Sequence, residues 1–194
     1  MRMVEEEFAL PSSSPEAAAA TTSAYIGGEA RLSAPSTGYT HVALAFEGPK
    51  SAPVMNILKH CLCMSGASAF AAPGIMGVYG GSAPGDALAT LDGLTKAVGA
   101  TPSDAVVAKA KTVAKAEALR ALDAGSKSLA DAMTASILDS CGFSAKALVD
   151  SYDGVSTADV SKAYSAMLKS KLSLAAVGDI SNVPYHATIA SRFG

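Results

Sequence analysis

Alternating apolar and polar side chains mark the first predicted strand of this chain. Between residues 40 and 48, the sequence THVALAFEG places Val42, Leu44 and Phe46 on one side and smaller or polar residues on the other. A period of two residues is typical of a strand that buries one face. Short apolar segments bounded by glycine or proline predict two further strands, at residues 74–81 and 172–177.

Helical spacing dominates most of the remaining chain. Large apolar side chains recur every three or four residues from Val54 to Leu62, which predicts a helix over residues 52–64. The helix from Thr157 is the most clearly specified, because Ser156 and Asp159 form a capping box. Caps and apolar stripes predict further helices after Asp86, from Ser103 to Gly125, over residues 126–140, over 144–152, and over 185–193.

This order of elements defines a fold class. Few strands, with most of the helices consecutive in sequence, indicate an α+β fold in which helices pack on one face of a small, mostly antiparallel sheet. Residues 11–24, PSSSPEAAAATTSA, lack apolar periodicity and are interpreted as a linker. We therefore divide the chain into an N-terminal tail and linker, residues 1–24, and one folded domain, residues 25–194.

Composition narrows the class of protein. Of 194 residues, 49% are apolar and 16% charged, as in a folded globular domain, although 40 are alanine. A net charge of −2 and the lack of a basic tract argue against nucleic acid as a partner. Three cysteines cannot all pair with one another, which favours a reducing compartment over a disulfide-stabilised secreted domain.

Membrane and targeting segments are not expected in this sequence. The longest uncharged run, residues 61–85, contains six glycines and two prolines, so it is interpreted as loop and strand rather than a transmembrane segment. Acidic residues at positions 5–7 stand where a targeting signal would be basic. We therefore expect no transmembrane segment in this chain and no targeting signal at this end.

Candidate metal ligands are few. The three histidines are His41, His60 and His186. They are too far apart to form the zinc-peptidase motif, in which two histidines lie one helical turn apart beside a glutamate. A cluster of His60, Cys61, Cys63 and Cys141 remains as a minor alternative, but its C-x-C spacing lacks the gap of a zinc knuckle. We interpret the cysteines as buried apolar residues, and expect no catalytic, cofactor-binding or metal-binding residues.

Other chemical motifs are incomplete. The glycines of residues 74–81 lack the G-x-G-x-x-G spacing, and residues 125–128, GSKS, lack the glycine that precedes the lysine of a phosphate loop. Ser140 and Cys141 stand outside any G-x-S-x-G nucleophile motif. His41 and Glu47 lie on the same side of the first strand and are interpreted as part of a polar face towards solvent.

Four segments resemble the C-terminal half of the pitrilysin-type family. They are YIGGEARL from Tyr25, THVALAFEGP from Thr40, PGIMGVYGGS from Pro73, and LAAVGDISNVPYHATIASRFG from Leu174. The last segment is similar to the end of α-type subunits, which comprise mitochondrial processing peptidase α subunits and the related second core proteins of complex III. The resemblance extends from Tyr25 to the end of the sequence.

The resemblance implies a non-catalytic structural subunit on the matrix side of the mitochondrial inner membrane. Its implied partners are a β-type processing peptidase subunit or core protein 1, which carries the zinc site, and other complex III subunits. Such a subunit would support both complex III assembly and presequence processing. Two alternatives remain open: a substrate-recognition contributor to a zinc-dependent processing peptidase, and a stand-alone small binding module.

Two departures from the family pattern limit what the resemblance implies. The sequence contains only one of the family's two homologous halves. In the family, a longer segment with a glycine-rich loop, an S-R-L helix and a strand follows the helix that ends near Met64 here. In this sequence, only SGASAFAA lies between that helix and the strand at Pro73. No functional residue of the family therefore has a counterpart here, and we expect this shortened domain to expose an apolar surface that a partner covers.

Overall fold

The computed structural model describes residues 24–138 and 144–193. Within these residues, five strands and seven α-helices are present. The strands are β1 (Gly28–Ser33), β2 (Thr40–Glu47), β3 (Ser68–Ala72), β4 (Ile75–Ser82) and β5 (Ser173–Gly178). The helices are α1 (Ala52–Met64), α2 (Ala87–Gly99), α3 (Asp104–Asp123), α4 (Ser126–Leu138), α5 (Ala145–Asp153), α6 (Thr157–Lys169) and α7 (His186–Ala190).

All five strands belong to one open sheet with the order β1-β5-β2-β4-β3. The β1–β5 pair is parallel, and the other three pairs are antiparallel. The predicted α+β class with a mostly antiparallel sheet is therefore confirmed. Since β2 lies at the centre and pairs with both β4 and β5, its alternation sets which side of the sheet packs against the helices.

One side of the sheet forms the floor of the core. Leu44 of β2 lies opposite Val78 of β4 and Leu174 of β5, and Phe46 lies opposite Met76. These five side chains are almost fully buried. Helices α1 and α2 contact the sheet directly, and α3 packs on α1 from outside. The helices therefore cover one face of the sheet, as the sequence predicts.

Local signals explain where the helices begin and how closely they pack. Ser103 accepts a hydrogen bond from the Val106 amide at the start of α3, and the capping box of Ser156 and Asp159 is formed at the start of α6. The α3 stripe predicted from the sequence buries the small side chains of Ala110 and Ala114. Small contact residues let two helices approach closely, which explains the alanine-rich core.

The two edge strands were not predicted from the sequence. Residues 65–72 are interpreted above as a connection, but Ser68–Ala72 forms strand β3, which pairs with β4 through a short turn. Gly74 adopts a φ of 79° in that turn, a conformation that favours glycine. Apart from Phe70, the segment SAFAA has only small side chains and no β-branched residue, so its sequence gives a weak strand signal and backbone pairing with β4 decides the conformation.

Strand β1 carries an arginine, Arg31, that binds the segment following β5. Arg31 of β1 donates hydrogen bonds to the carbonyls of Val183 (2.8 Å), Pro184 (3.1 Å) and Ile180 (3.2 Å). Its guanidinium also lies 5.0 Å from the ring centroid of Tyr185. The segment after β5 is thereby held against β1. This long-range contact explains why no local pattern in the sequence identifies β1.

Helix boundaries agree with the sequence prediction within a few residues. Helix α4 is described from Ser126 to Leu138, and its predicted end at Ser140 lies outside the described residues. The last helix is shorter than predicted, His186–Ala190 instead of residues 185–193. In the part of the chain that the structure describes, no helix is long and apolar enough to cross a lipid bilayer.

The packing of β2 predicts the outcome of a core truncation. Replacing Leu44 with alanine should lower the free energy of unfolding by about 2–5 kcal/mol, because it leaves a cavity between β2, β4 and β5. Urea denaturation measures this change. As a control, Leu119→Ala on the exposed side of α3 should change the free energy by less than about 0.5 kcal/mol. Equal losses for both variants would contradict the register described above.

Candidate interaction surface

The side of the sheet opposite the helices, here called the open face, is largely apolar. It is formed by Leu32, His41, Ala43, Tyr79, Ala175 and Val177. Strand register makes these residues neighbours, because Val177 lies opposite both Leu32 and His41, and Ala43 lies opposite both Tyr79 and Ala175. Leu32 is 62% exposed, Tyr79 52% and Val177 41%. Adjacent large apolar side chains left in water indicate a docking surface.

A shallow groove of about 220 Å³ runs along the open face between β4 and β5. Small residues, Ala43, Gly80 and Ala175, form its floor, and the larger Tyr79 and Val177 form its sides. His41 also lines it and lies against the ring of Tyr39, with ring centroids 5.1 Å apart. No Asp, Glu, Lys or Arg lines the groove, so it suits an apolar side chain better than an ion.

One end of the open face is covered by the residues that lead into β1. The Tyr25 hydroxyl donates a hydrogen bond to the Ala45 carbonyl (3.0 Å) and lies 2.7 Å from Ser173 Oγ. Burial raises the pKa of Tyr25; the hydrogen bond to Ser173 opposes this shift, and the Glu47 charge adds to it. Ala45 points to this side, yet it is only 7% exposed. The polypeptide thus reaches β1 from the open side of the sheet.

His41 and Glu47 lie on the open side at opposite ends of β2. They stand six positions apart along the strand, about 20 Å, so their side chains do not contact each other. The expected polar face is therefore polar only at its ends, because alanines occupy the positions between. Leu32, Tyr79 and Val177 were not predicted from the sequence as residues of an exposed surface. The two alanines of THVALAFEG that share the side of His41 were the one local signal of an apolar second face.

The candidate metal cluster is divided between different environments. The prediction that the cysteines are buried is confirmed for Cys61, which is fully buried, and is wrong for Cys63, which is exposed near the end of α1. Cys141 lies outside the described residues. His60 Nε2 lies 2.5 Å from Glu117 Oε2 rather than at a cysteine. Burial raises the pKa of the Cys61 thiol to about 11, which disfavours the thiolate that a metal needs. Across residues 24–138 and 144–193, no group of three potential ligands could hold a metal ion.

An ion-pair network ties α3 to α1 at the site of that cluster. Lys59 Nζ lies 3.1 Å from Glu117 Oε2, and His60 bonds the same oxygen. Burial alone would raise the pKa of Glu117, but hydrogen bonds and charge from Lys59 and His60 outweigh it and lower the pKa. These residues have a structural explanation, since they hold two packed helices together.

A second groove lies elsewhere, between the end of α6, the start of β5 and α7. It has a volume of about 630 Å³, and Leu168, Leu172 and Phe193 contribute its apolar lining. Lys169 and Lys171 at its rim are exposed, and Tyr164 donates its hydroxyl hydrogen to the Val98 carbonyl. The groove therefore lacks the converging polar groups that orient a small-molecule ligand.

Comparison with known proteins identifies the fold. No known protein family and no curated protein matches the sequence. Among solved structures, 106 chains match. A chain of complex III2 from Candida albicans, determined with Inz-5 bound, aligns with 87% of this chain at a TM-score of 0.66 and 16% identity. This chain spans about half of that chain, 49% of its length. At this identity the similarity establishes a shared fold.

The Glu117 network predicts a pH-dependent contribution to stability. Because its pKa is lowered on folding, the carboxylate stabilises the fold above its ordinary value of 4.5. That contribution is lost as the pH falls through the lower folded value. Glu117→Gln should therefore lower the melting temperature more at pH 7 than at pH 3. The effect should stay below about 1 kcal/mol, since Glu117 is half exposed.

Thermal melts at low and high salt check this prediction. High salt should shrink the difference between Glu117→Gln and the unmodified chain, because it screens exposed charges. A difference that is the same at every pH and salt concentration would show that the carboxylate charge does not matter.

Because Cys61 is buried and Cys63 is exposed, we predict that the purified chain binds no stoichiometric zinc. Cys61 is buried with a raised pKa, and His60 is already paired with Glu117. Elemental analysis after dialysis measures the bound metal. One zinc per chain that disappears on combining Cys61→Ser with Cys63→Ser would refute the prediction and restore the cluster as a metal site.

Proposed function

We propose that this chain is a non-catalytic structural subunit of the mitochondrial processing peptidase α and complex III core protein 2 type. The observation that carries the proposal is the shared fold with a complex III chain over 87% of this chain. The sequence resemblance in the segments from Tyr25, Thr40 and Pro73 supports the pitrilysin-type family independently of the fold, and the segment from Leu174 favours an α-type subunit over a β-type one.

In this proposal, the chain acts on the matrix side of the mitochondrial inner membrane. Its partners are a β-type processing peptidase subunit, or core protein 1, and other complex III subunits. Exposed apolar side chains on both layers offer contact surfaces, such as Tyr79 on the sheet and Val113 and Leu129 on the helices. Obligate subunit interfaces commonly use apolar surfaces of this kind. As such a subunit, this chain supports the assembly of complex III and the processing of presequences by the β-type partner.

The proposal assigns no catalytic step to this chain. Its histidines lie on three different elements: His41 on β2, His60 on α1 and His186 at the start of α7. His60 pairs with Glu117, and His186 Nε2 lies 2.8 Å from the Leu172 carbonyl oxygen. A hydrolytic zinc site needs ligands that converge and leave one position open for water. Peptidase activity would therefore reside in the β-type partner.

We predict that the chain co-migrates with complex III when mitochondrial membranes are solubilised mildly and separated by native electrophoresis. The test uses an epitope-tagged chain at its natural expression level, with mass spectrometry of each band. Leu44→Asp should abolish co-migration, because it places a charge in the core beneath β2. The matched variant Leu88→Asp, at a position 44% exposed on α2, should retain it.

Other outcomes support the alternatives. Co-migration with a β-type peptidase alone, together with loss of presequence cleavage when this chain is depleted, would favour a substrate-recognition role in a zinc-dependent processing peptidase. A folded monomer in the soluble fraction would contradict both assignments and favour a stand-alone binding module. Cleavage of a presequence peptide by the purified chain would refute its non-catalytic role.

A further inference from the structure

We propose that the groove between the end of α6, the start of β5 and α7 binds an acidic segment of another protein. A large apolar side chain of that segment lies in the groove, and its carboxylates face Lys169 and Lys171. The proposed function assigns no partner to this groove, so the inference goes beyond it. The site is also separate from the open face, because the two grooves share no lining residue.

The apolar part of the groove comes from both sides of β5. Leu168 and Leu172 lie at the end of α6 and just before β5, and Ala190 and Phe193 lie at and after the end of α7. Leu172 is buried, whereas the other three are half-buried and still present apolar surface. The Phe193 ring packs edge-on against Phe46 of the core, with centroids 5.2 Å apart, so this side of the groove is anchored. A volume of about 630 Å³ leaves room for an apolar side chain.

The hydroxyl groups of the lining are already used within the chain. Ser170 Oγ donates to the Met167 carbonyl (2.7 Å) and accepts from the Glu47 amide (3.0 Å). Tyr164 donates to the Val98 carbonyl (2.7 Å). Ser165 likewise donates to the carbonyl one helical turn before it (2.9 Å). Polar recognition of a partner therefore depends on the lysines.

Lys169 and Lys171 give the rim of the groove a positive charge. Both are exposed, and none of the described residues that line the groove is Asp or Glu. Within residues 24–138 and 144–193, neither lysine forms an ion pair, whereas Lys115 pairs with Asp153 (2.7 Å). Glu47 contacts the groove through its backbone amide, and its carboxylate is not part of the lining. An acidic partner matches this charge, although the whole chain carries a net charge of −2.

The combination of an apolar groove and two charges favours a protein segment over other anions. A free phosphate would contact the lysines and leave the apolar lining in water. A membrane surface is typically bound by clusters of about 4–8 basic residues, and this rim has two. A segment with an apolar side chain between carboxylates uses both features, as an anchor residue surrounded by a polar rim does in protein interfaces.

Fluorescence anisotropy of a labelled peptide tests this proposal on the full chain. The probe is a hexapeptide with leucine and phenylalanine at its centre and two acidic residues on each side. Combining Lys169→Gln with Lys171→Gln should raise its Kd about three- to tenfold, because two exposed ion pairs are lost. As a matched control, Lys109→Gln with Lys127→Gln removes two exposed lysines of α3 and α4 and should leave the Kd within about 1.5-fold.

A second pair of variants tests the apolar groove without removing charge. Ser165 is exposed and lines the groove, so Ser165→Phe should fill it and raise the Kd at least about tenfold. Ser161 is exposed one turn earlier on α6 and does not line the groove. Ser161→Phe should therefore leave the Kd unchanged. Thermal melts confirm that each variant is folded.

Several results would overturn the proposal. They include no binding of the probe up to about 1 mM, or equal binding of a probe with glutamine in place of its acidic residues. Binding that survives both the double lysine variant and Ser165→Phe would place the peptide elsewhere. Anionic phospholipid vesicles that bind through Lys169 and Lys171, with no binding of the peptide, would assign the rim to a membrane surface. Since the chain is measured alone, these outcomes are independent of its co-migration with complex III.

Discussion

The register of the central strand β2 is the constraint on which the remaining structure depends. Its neighbours on both sides align Leu44 with Val78 and Leu174, so three strands present one continuous apolar floor to the helices. A slip of one residue would turn this floor towards solvent and bring Ala43 into the core. The sheet therefore has two unequal faces: large side chains anchor the helices on one, and mostly small side chains lie on the other.

Small side chains determine how the helical layer covers that floor. Ala110 and Ala114 lie buried in α3, where a larger residue would push the helix away from α1. Close packing on small side chains does not extend to the whole core, which also contains large buried residues such as Phe46 and Leu58. Other large apolar residues lie outside the core, among them Leu32, Tyr79 and Val177 on the open face.

The sequence predicts the elements whose signals are local. Strands β2, β4 and β5 and all seven helices follow from periodicity, caps and glycines close to each other in the chain, as the capping box at Ser156 illustrates. Edge strand β1 was not predicted because its partners are distant in sequence; Arg31 binds carbonyls about 150 residues away. Edge strand β3 was not predicted because its sequence has no β-branched residues, although its partner β4 follows directly. The open face was not predicted from the sequence either, because Leu32 and Val177 are distant in sequence and become neighbours only through the pairing of β1 with β5. The dispersed histidines, in contrast, are visible in the sequence itself.

The fold and any chemistry associated with it are separable in this molecule. Two of the three histidines take part in contacts that maintain the fold: His60 pairs with Glu117 between two helices, and His186 Nε2 lies 2.8 Å from the Leu172 carbonyl oxygen. At 16% identity to a complex III chain the architecture is shared, and an architecture by itself does not decide chemistry. The register of β2 decides which surface the domain presents. Because Leu44 faces the helices, Leu32, Tyr79 and Val177 lie exposed on the opposite side of the sheet, where an interacting surface is expected to be apolar.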